Sequence, residues 1–166
     1  MQNLIGQIRR CVEDYQMIVP GDCIAVGVSG GKDSLTLLSL LAQLRRYYPK
    51  KFSLRAVTID MGLAGMDFSP VEAFCQSLQV PYTIKKTDIG PIIFDYRHEK
   101  NPCSMCAKMR RGALNDVLLA EGCNKIALGH HFDDAVETFL MSLLYEGRIG
   151  CFEPMTYLSR TGITQI

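Results

Sequence analysis

The stretch CIAVGVSGGKDS, residues 23–34, decides the fold. Its first half is a continuous apolar run with several β-branched residues, which predicts a strand buried on both faces. Its second half, VSGGKDS at residues 28–34, places two glycines, two serines and a lysine directly before a helical pattern. Glycines let the backbone approach a ligand closely, and the amides at a helix start point towards an anion. The stretch therefore predicts a strand–loop–helix unit with an anion site at the turn.

The spacing within this loop does not follow the common phosphate-binding patterns. The usual phosphate loop has four residues between its glycines, followed by Lys and then Ser or Thr. Here only three residues separate Gly27 from Gly31, and Asp33 follows Lys32. The dinucleotide pattern GxGxxG is absent as well. A plain tight turn between strand and helix is the alternative interpretation at this point.

The rest of the chain repeats the alternation of strand and helix. Further apolar runs predict strands at residues 54–59, 82–87 and 125–129. Helical spacing predicts helices at about 33–48, 69–79 and 104–121, and one that begins at Asp133 or Asp134. Residues 88–102 predict a long loop, and residues 147–166 are turn-like and strand-like. The predicted fold class is α/β, with three layers: a parallel twisted sheet covered by helices on both faces, in a single domain over residues 1–166.

The last long helix has one apolar face, formed by the residues Val136, Phe139, Leu140, Leu143 and Leu144. Ligands of parallel sheets bind beyond the carboxyl ends of the strands. Three stretches follow strand ends and are expected to converge there: VSGGKDS, TIDMG at residues 58–62 and GHHFDD at residues 129–134.

Composition excludes several classes of protein. The chain has 166 residues, of which 48% are hydrophobic and 21% charged, with a formal net charge of +1. These values are typical of a globular domain and not of a disordered segment. The N-terminus predicts no signal peptide, and no apolar run is long enough to cross a bilayer. We therefore expect a cytoplasmic protein that does not enter membranes.

The seven cysteines are expected to be reduced thiols, because their number is odd and no export signal is present. Five are scattered singly and are expected to be mostly small buried side chains: Cys11, Cys23, Cys75, Cys123 and Cys151. Cys103 and Cys106 form the only close pair.

The segment GHHFDDAVET, residues 129–138, concentrates titratable side chains at a strand-to-helix turn. Carboxylates there suit Mg²⁺ with phosphates, although acidic residues are also common at helix starts for dipole reasons alone. Either His130 or His131 is a candidate general base, and a structural role for both is the alternative.

The segment PCSMCAKMRRG, residues 102–112, joins the cysteine pair to basic residues. A CxxC pair is typical of a redox pair or of metal ligation, and two thiolates are too few to hold an iron–sulfur cluster by themselves. The flanking cations Lys100, Lys108, Arg110 and Arg111 either meet a polyanion or form a solvated helix face. A second basic group, Arg45, Arg46, Lys50, Lys51 and Arg55, is interpreted as a solvated surface.

The loop after the first predicted strand resembles that of a known family. SGGKDS, residues 29–34, resembles the signature loop of the PP-loop ATP pyrophosphatase superfamily, whose members cleave ATP between the α and β phosphates. The resemblance implies a Rossmann-like adenine nucleotide alpha hydrolase fold. It also implies ATP-binding residues, which would be Val28, Ser29, Gly30, Gly31, Lys32, Asp33, Ser34, Thr58, Ile59, Asp60, Gly129 and His130.

Over about residues 5–160 the chain is similar to the tRNA 2-thiocytidine synthetases, on its SGGKDS, its CxxC followed by RRG, and its GHHFDD. The similarity implies ATP-dependent thiolation of a tRNA cytidine, with ATP, Mg²⁺ and a 4Fe-4S cluster as cofactors. It implies Asp33, Asp133 and Asp134 as catalytic residues, Cys103 and Cys106 as cluster ligands, and Lys108, Arg110 and Arg111 as contacts of tRNA.

The family pattern has a third cluster cysteine further along the chain. Cys151 does not match that position, so we expect the chain to lack a C-terminal part of the family. The expected partners are tRNA and a sulfur donor such as a cysteine desulfurase, with a homodimer as one candidate assembly. The alternatives are a 2-thiouridine or lysidine synthetase, or an ATP-binding regulatory domain without catalysis.

Overall fold

The computed structural model describes residues 2–96 and 102–166. Within them the helices are α1 (Gln2–Asp14), α2 (Lys32–Tyr47), α3 (Ser69–Ser77), the single turn α4 (Ile89–Pro91), α5 (Pro102–Ala120) and α6 (Phe132–Glu146). The strands are β1 (Cys23–Gly27), β2 (Ser53–Asp60), β3 (Tyr82–Lys86), β4 (Lys125–Ala127), β5 (Thr156–Leu158) and β6 (Ile163–Gln165). The four strands expected from the sequence are confirmed, with ends that differ by one or two residues.

The strands form one sheet in the order β3-β2-β1-β4-β6-β5. Strands β1, β2, β3, β4 and β6 pair in parallel, and β5 returns antiparallel to β6. Each parallel neighbour requires a crossover, which the helices provide. The predicted fold class is confirmed, with the antiparallel β5 as an addition that the sequence did not specify.

Helices cover the two faces of the sheet and create two cores. On one face, Val12 of α1, Leu38 and Leu41 of α2, and Val71 of α3 pack against the sheet. On the other face, Val117 and Leu118 of α5 pack against Ala25, Val57 and Ile126. Strand β1 is buried between both layers, which explains why its sequence is uniformly apolar.

The order of strands indicates at which edge of the sheet a ligand would bind. From β1 the chain adds strands on one side, through β2 to β3, and then returns to add β4 on the other side of β1. The carboxyl ends of β1 and β4 therefore border a topological switch point, where a crevice opens between helices that lie on opposite faces. The loop after β1 and the turn after β4 both lie at this crevice.

Three structural expectations are wrong in detail. The segment expected to be a loop at residues 88–102 begins with α4 and continues as a π-helical turn, Ile92–Tyr96. Helix α6 is capped by His131 and not by Asp133 or Asp134. Of the single cysteines, Cys75 and Cys123 are buried, but Cys11 and Cys151 are exposed.

The apolar face of α6 is largely uncovered by the described residues. Its residues Val136, Phe139, Leu140, Leu143 and Leu144 keep between 37% and 75% of their surface exposed. The helical periodicity of this face was visible in the sequence, but its packing partner was not. No helix among residues 2–96 and 102–166 is both long and apolar enough to span a bilayer.

Candidate functional site

The loop after β1 is held by its own serines. Gly30 has a φ of 82°, which a glycine adopts without strain, and Gly31 is the N-cap of α2. The buried Ser34 hydroxyl donates to the Gly31 carbonyl at 2.9 Å. The Ser34 hydroxyl oxygen also accepts from the Ser29 amide, and the Ser29 hydroxyl oxygen accepts from the Gly31 amide, both at 3.3 Å. These two longer bonds are weak, so the amides of Ser29 and Gly31 can exchange their serine acceptors for a bound anion.

Gly129, which follows β4, packs directly against this loop. A Cβ atom on Gly129 would lie 3.0 Å from the Ser34 backbone nitrogen and 3.1 Å from the Asp33 carbonyl carbon. Both are backbone atoms and have little freedom to move away. Gly129 was predicted as an ATP contact, and the structure places it against the first turn of α2.

A cleft of about 700 Å³ opens beside the loop. Its walls come from β1, β2, β4, β6 and helix α5, and its size is typical of a small-molecule site. Of the predicted site residues, it is lined by Val28, Ser29, Ile59, Lys108, Arg110, Arg111 and His130. The other predicted ATP contacts and the three predicted catalytic aspartates do not line it.

Helix α5 supplies one wall of the cleft. Ser104, Lys108, Arg111 and Asn115 recur at spacings of three or four residues and so share one helical face. The sequence interpretation included the two cations but missed Ser104 and Asn115. Their spacing from Lys108 and Arg111 was a usable signal. Gln165 and Leu158 also line the cleft, and no sequence pattern pointed to them. Lys100 lies outside the described residues.

The carboxyl end of β2 divides its side chains between two faces. Ile59 lines the cleft, but Thr58 is buried on the opposite face, and its hydroxyl donates to the Val28 carbonyl at 2.7 Å. The Asp60 carboxylate accepts the Gly62 amide at 2.9 Å and shapes the turn after the strand. The three predicted ATP contacts in TIDMG therefore have different surroundings, and only Ile59 lines the cleft.

The cysteine pair lies in the first turn of α5. The side chains of Cys103 and Cys106 are on one helical face, Cys103 is exposed, and the Cys106 thiol contacts the Met61 sulfur at 3.5 Å. Helix starts favour thiolates, and two thiolates so placed fit an iron–sulfur cluster as two of its ligands. Among residues 2–96 and 102–166, no cluster of three or more metal-ligating side chains accompanies them.

The two aspartates after β4, Asp133 and Asp134, make their contacts at the start of their own helix, α6. The Asp134 carboxylate accepts the His131 amide at 2.8 Å, and the His131 side chain accepts the Asp134 amide, which forms a capping box. The Asp133 side chain is exposed and lies 4.0 Å from His131 Nδ1. These contacts fit a capping role. Asp33, the third aspartate predicted as catalytic, lies in the first turn of α2.

His130 differs from His131 in its surroundings. His130 lines the cleft, and its ring packs against Phe152 with centroids 5.2 Å apart. It also borders a second, mostly apolar cavity of about 450 Å³ between α1, α2 and α6. Of the two histidines, His130 is therefore the one that a ligand in the cleft would meet.

Comparison with known proteins shows the family to which the chain belongs. A model of the PP-loop domain family matches residues 2–163. The tRNA-cytidine(32) 2-sulfurtransferase of Anaeromyxobacter dehalogenans is 42% identical over 154 residues, which are 92% of this chain and 53% of that protein. The enzyme of the same name from Pelobacter propionicus is 46% identical over 86% of this chain and 53% of its own length. The chain thus spans about half the length of these curated relatives.

Two solved structures are similar to this chain in fold. The U34-tRNA thiolase NcsA from Methanococcus maripaludis, solved with its 4Fe-4S cluster, superposes with a TM-score of 0.69 at 29% identity, over 87% of this chain and 50% of NcsA. An ammonia-dependent NAD synthetase from Campylobacter jejuni superposes with a TM-score of 0.56 at 15% identity, over 88% of this chain and 59% of that one. The second likeness concerns the fold alone.

Proposed function

The chain belongs to the PP-loop domain family, and from that membership we propose that it carries out ATP-dependent thiolation of a cytidine in tRNA. The names of its curated relatives and the thiolase among its structural neighbours support this function. One observation carries the proposal. A single cleft joins the start of the loop, at Val28 and Ser29, to the basic face of α5, whose first turn holds the cysteine pair.

ATP is the ligand that this cleft fits best. The first amides of α2 have no acceptors within the helix, and they point towards the crevice beyond β1. We place the phosphates of ATP there, with Lys32 nearby and Arg110 and Arg111 across the cleft. Adenine then lies against the apolar wall formed by Val57, Ile59 and Leu128. Asp33 is the candidate carboxylate for Mg²⁺ bound with the phosphates.

The proposed reaction has two displacements. The O2 oxygen of cytosine attacks the α phosphorus of ATP, the bond to the β phosphate oxygen breaks, and pyrophosphate leaves with the electron pair. A sulfur donor then supplies sulfide, which adds at C2, and AMP leaves with the original oxygen. The cations of the cleft and the amides of the loop act by orienting the reactants and by stabilising the developing negative charge.

Cys103 and Cys106 would hold two positions of an iron–sulfur cluster. When bound, such a cluster would supply an iron site to which sulfide can attach near the nucleotide. The contribution of this chain is placement, because α5 carries the two thiols and the cleft-lining Ser104 and Lys108 on the same helix. We propose a cysteine desulfurase as the source of sulfur, together with a thiol reductant whose two electrons convert the persulfide sulfur of the desulfurase to the sulfide that adds at C2. Because tRNA is the substrate, we propose the cytoplasm as the location.

The loop assignment is tested by ATP turnover. Incubation with ATP and a tRNA transcript should release pyrophosphate, and Ser29→Ala should reduce that rate about a hundredfold or more, the loss expected of one donor at the site of developing charge. Ser77→Ala on the exposed side of α3 is the matched control and should have no effect. ATP bound without any pyrophosphate release would instead indicate a regulatory domain without catalysis.

The sulfur step is tested with the cysteines. The variant with Cys103→Ser and Cys106→Ser should still release pyrophosphate but form no thiolated nucleoside, as measured by mass spectrometry of digested tRNA. Cys151→Ser, which removes another exposed thiol, is the control. Full activity of the double variant would reject thiolation and favour lysidine synthesis, which needs no cysteine pair. The same nucleoside analysis distinguishes 2-thiocytidine from 2-thiouridine.

The role of the basic face is tested by salt dependence. Loss of both cations in Arg110→Ala with Arg111→Ala should weaken tRNA binding and lower the slope of log affinity against log salt, since each phosphate contact releases counterions. A matched pair, Arg46→Ala with Lys51→Ala, removes two exposed cations elsewhere and should leave the slope unchanged. Equal slopes in all three proteins would place tRNA elsewhere.

A further inference from the structure

Val28 is the first residue after β1 (Cys23–Gly27), and its carbonyl lies where the strand turns into the loop. Val28 is buried, and its amide extends the β1–β2 ladder by donating to the Val57 carbonyl at 2.8 Å. Its carbonyl, however, does not receive a backbone donor from β2. It accepts the Thr58 hydroxyl at 2.7 Å. A side chain thus replaces the next backbone bond at the point where the strand turns into the loop.

A second hydroxyl extends this contact. Tyr82, at the start of β3, lies with its hydroxyl 2.9 Å from Thr58 Oγ1. A carbonyl oxygen can only accept, so the single hydroxyl proton of Thr58 is directed to Val28, and Tyr82 must donate to Thr58. The direction of both bonds is therefore fixed. Hydrogen bonds in such a chain polarise one another, which strengthens the bond at Val28.

The two hydroxyls act from behind the loop. Thr58 is only 4% exposed and lies on the opposite face of β2 from Val57 and Ile59, which line the cleft. Tyr82 packs against the core between the sheet and α2 and α3, and burial raises the pKa of its phenol. Neither side chain meets a ligand in the cleft, so any effect on the site must pass through the Val28 carbonyl.

The consequence for the loop follows from peptide geometry. The Val28 carbonyl and the Ser29 amide belong to one planar trans peptide, in which they point in opposite directions. The amide of Ser29 is directed at the Ser34 hydroxyl inside the loop, at 3.3 Å. We propose that Thr58 and Tyr82 are positioning residues which, by fixing the Val28 carbonyl, set the orientation of the Ser29 amide and so of the ATP-binding loop. The proposal rests on the proposed binding of ATP by this loop.

A purely structural role is the competing explanation, since a buried carbonyl needs a donor whether or not a ligand binds. The two explanations differ in what a variant changes. A structural role affects only the free energy of unfolding. A positioning role also affects the Ser29 amide and the affinity for ATP in molecules that remain folded.

The experiment compares Thr58→Val, which keeps the shape of the side chain but loses the hydroxyl, with Thr58→Ser, which keeps the hydroxyl. Thr83→Val is the matched control, because it removes the hydrogen bond of a neighbouring β3 threonine to Glu121, away from the loop. The amide resonance of Ser29 is recorded by NMR without nucleotide, and ATP affinity is measured by titration, both at a temperature where every variant is folded.

Thr58→Val should shift the Ser29 resonance and weaken ATP binding about tenfold or more, since small misplacements of a binding group have effects of that size. Thr58→Ser should resemble the parent, and Thr83→Val should change stability alone. Tyr82→Phe should have a smaller effect, and combining it with Thr58→Val should add nothing, because both act through one chain of bonds.

Unchanged Ser29 resonance and ATP affinity in folded Thr58→Val would overturn the positioning role. If Thr58→Val does not fold, Tyr82→Phe is used in its place: it removes the donor to Thr58, so it should shift the Ser29 resonance and weaken ATP binding to a smaller extent, and no change in either would overturn the positioning role. A parent that binds ATP but releases no pyrophosphate contradicts the proposed function and leaves the positioning role standing on the affinity data. A parent that binds no ATP overturns both.

Discussion

The two edges of the parallel sheet are built from the same strands, but their polar groups are organised in opposite ways. At the amino-terminal edge, Asp22 is 2% exposed, and its carboxylate accepts from Lys125 at 2.8 Å, from Asn124 at 2.8 Å and from the Val19 amide at 2.7 Å. The Lys125 ammonium also donates to the Met17 carbonyl at 2.6 Å. Both members of this buried ion pair therefore have several close partners.

At the carboxyl-terminal edge the corresponding groups are left available. The amides of Ser29 and Gly31 have only serine acceptors at 3.3 Å. Lys108, Arg110 and Arg111 face an open cleft, and none of the three has an ion-pair partner within the described residues. The closed edge contributes to the rigidity of the scaffold, and the open edge retains donors for a ligand. A site is more precise when its donors stand on elements that are fixed elsewhere.

The largest effect is expected at the closed edge. Asp22→Asn removes the buried anion and leaves Lys125 buried without a countercharge, so we expect a loss of about 3–5 kcal/mol in the free energy of unfolding. Urea titration measures it. Asp14→Asn, which breaks the exposed pair of Arg10 and Asp14, is the control and should change stability by about 0.5 kcal/mol or less. Similar losses for both variants would show that burial does not distinguish the edges.

The contact between Gly129 and the first turn of α2 is tested by substitution of the glycine. Gly129→Ala places a methyl group about 3 Å from the backbone of Ser34 and Asp33, so the first turn of α2 must shift. We expect a loss of about 1–3 kcal/mol in stability, together with weaker ATP binding. Gly6→Ala in α1, where a Cβ meets nothing within 4 Å, should instead stabilise the chain slightly. Unchanged ATP affinity in Gly129→Ala would show that Gly129 does not influence ATP binding by the loop.

The closed edge should also respond to acid. Burial alone raises the pKa of the Asp22 carboxyl, but the hydrogen bonds from Lys125, Val19 and Asn124 outweigh it and hold the pKa below its usual range. An unfolded Asp titrates near about pH 3.9. The stability contributed by this group is therefore present above about pH 4 and is lost as the pH falls through the lower folded value.

Unfolding free energies of the parent and of Asp22→Asn, measured from pH 7 down to acid, should therefore converge as the pH falls. A constant difference between the two proteins across that range would contradict the assignment to Asp22.

The smallest effect concerns thiol reactivity at the closed edge. Burial, with the neighbouring Cys23 thiol at 2.9 Å, raises the pKa of Cys123 to about 12. Because only the thiolate is alkylated, Cys123 should remain unlabelled by iodoacetamide at pH 8, while the exposed Cys103 reacts. Peptide mass spectrometry reports each site. Urea should make all seven cysteines reactive. Labelling of Cys123 as fast as Cys103 in the folded chain would show that this edge is open.

Several features of the molecule were accessible from local sequence patterns. The apolar run before VSGGKDS predicted β1, and the glycines and serines after it predicted the turn into α2. The helix predicted from about residue 104 is confirmed as α5, which begins at Pro102 and so includes both Cys103 and Cys106. These features depend on neighbouring residues in the chain, whose preferences are expressed with little help from distant contacts.

Other features depended on contacts between distant segments. Thr58 was predicted as an ATP contact, but its place in the register of β2 turns it away from the cleft and towards Val28. Lys125 was assigned only to a strand, yet it is buried against Asp22, a partner about a hundred residues earlier. Which residue caps α6 depended on backbone geometry at His131 that no composition rule specifies.

The sequence by itself determined the alternation of strands and helices, the position of the loop after β1 and the placement of two thiols in the first turn of α5. Only the tertiary structure decided that the basic face of α5 borders the loop, that Gly129 packs against it, and that one edge of the sheet is closed while the other remains open. The physical reason is that local preferences fix the path of the backbone. The direction and burial of each side chain follow instead from packing between elements far apart in the chain.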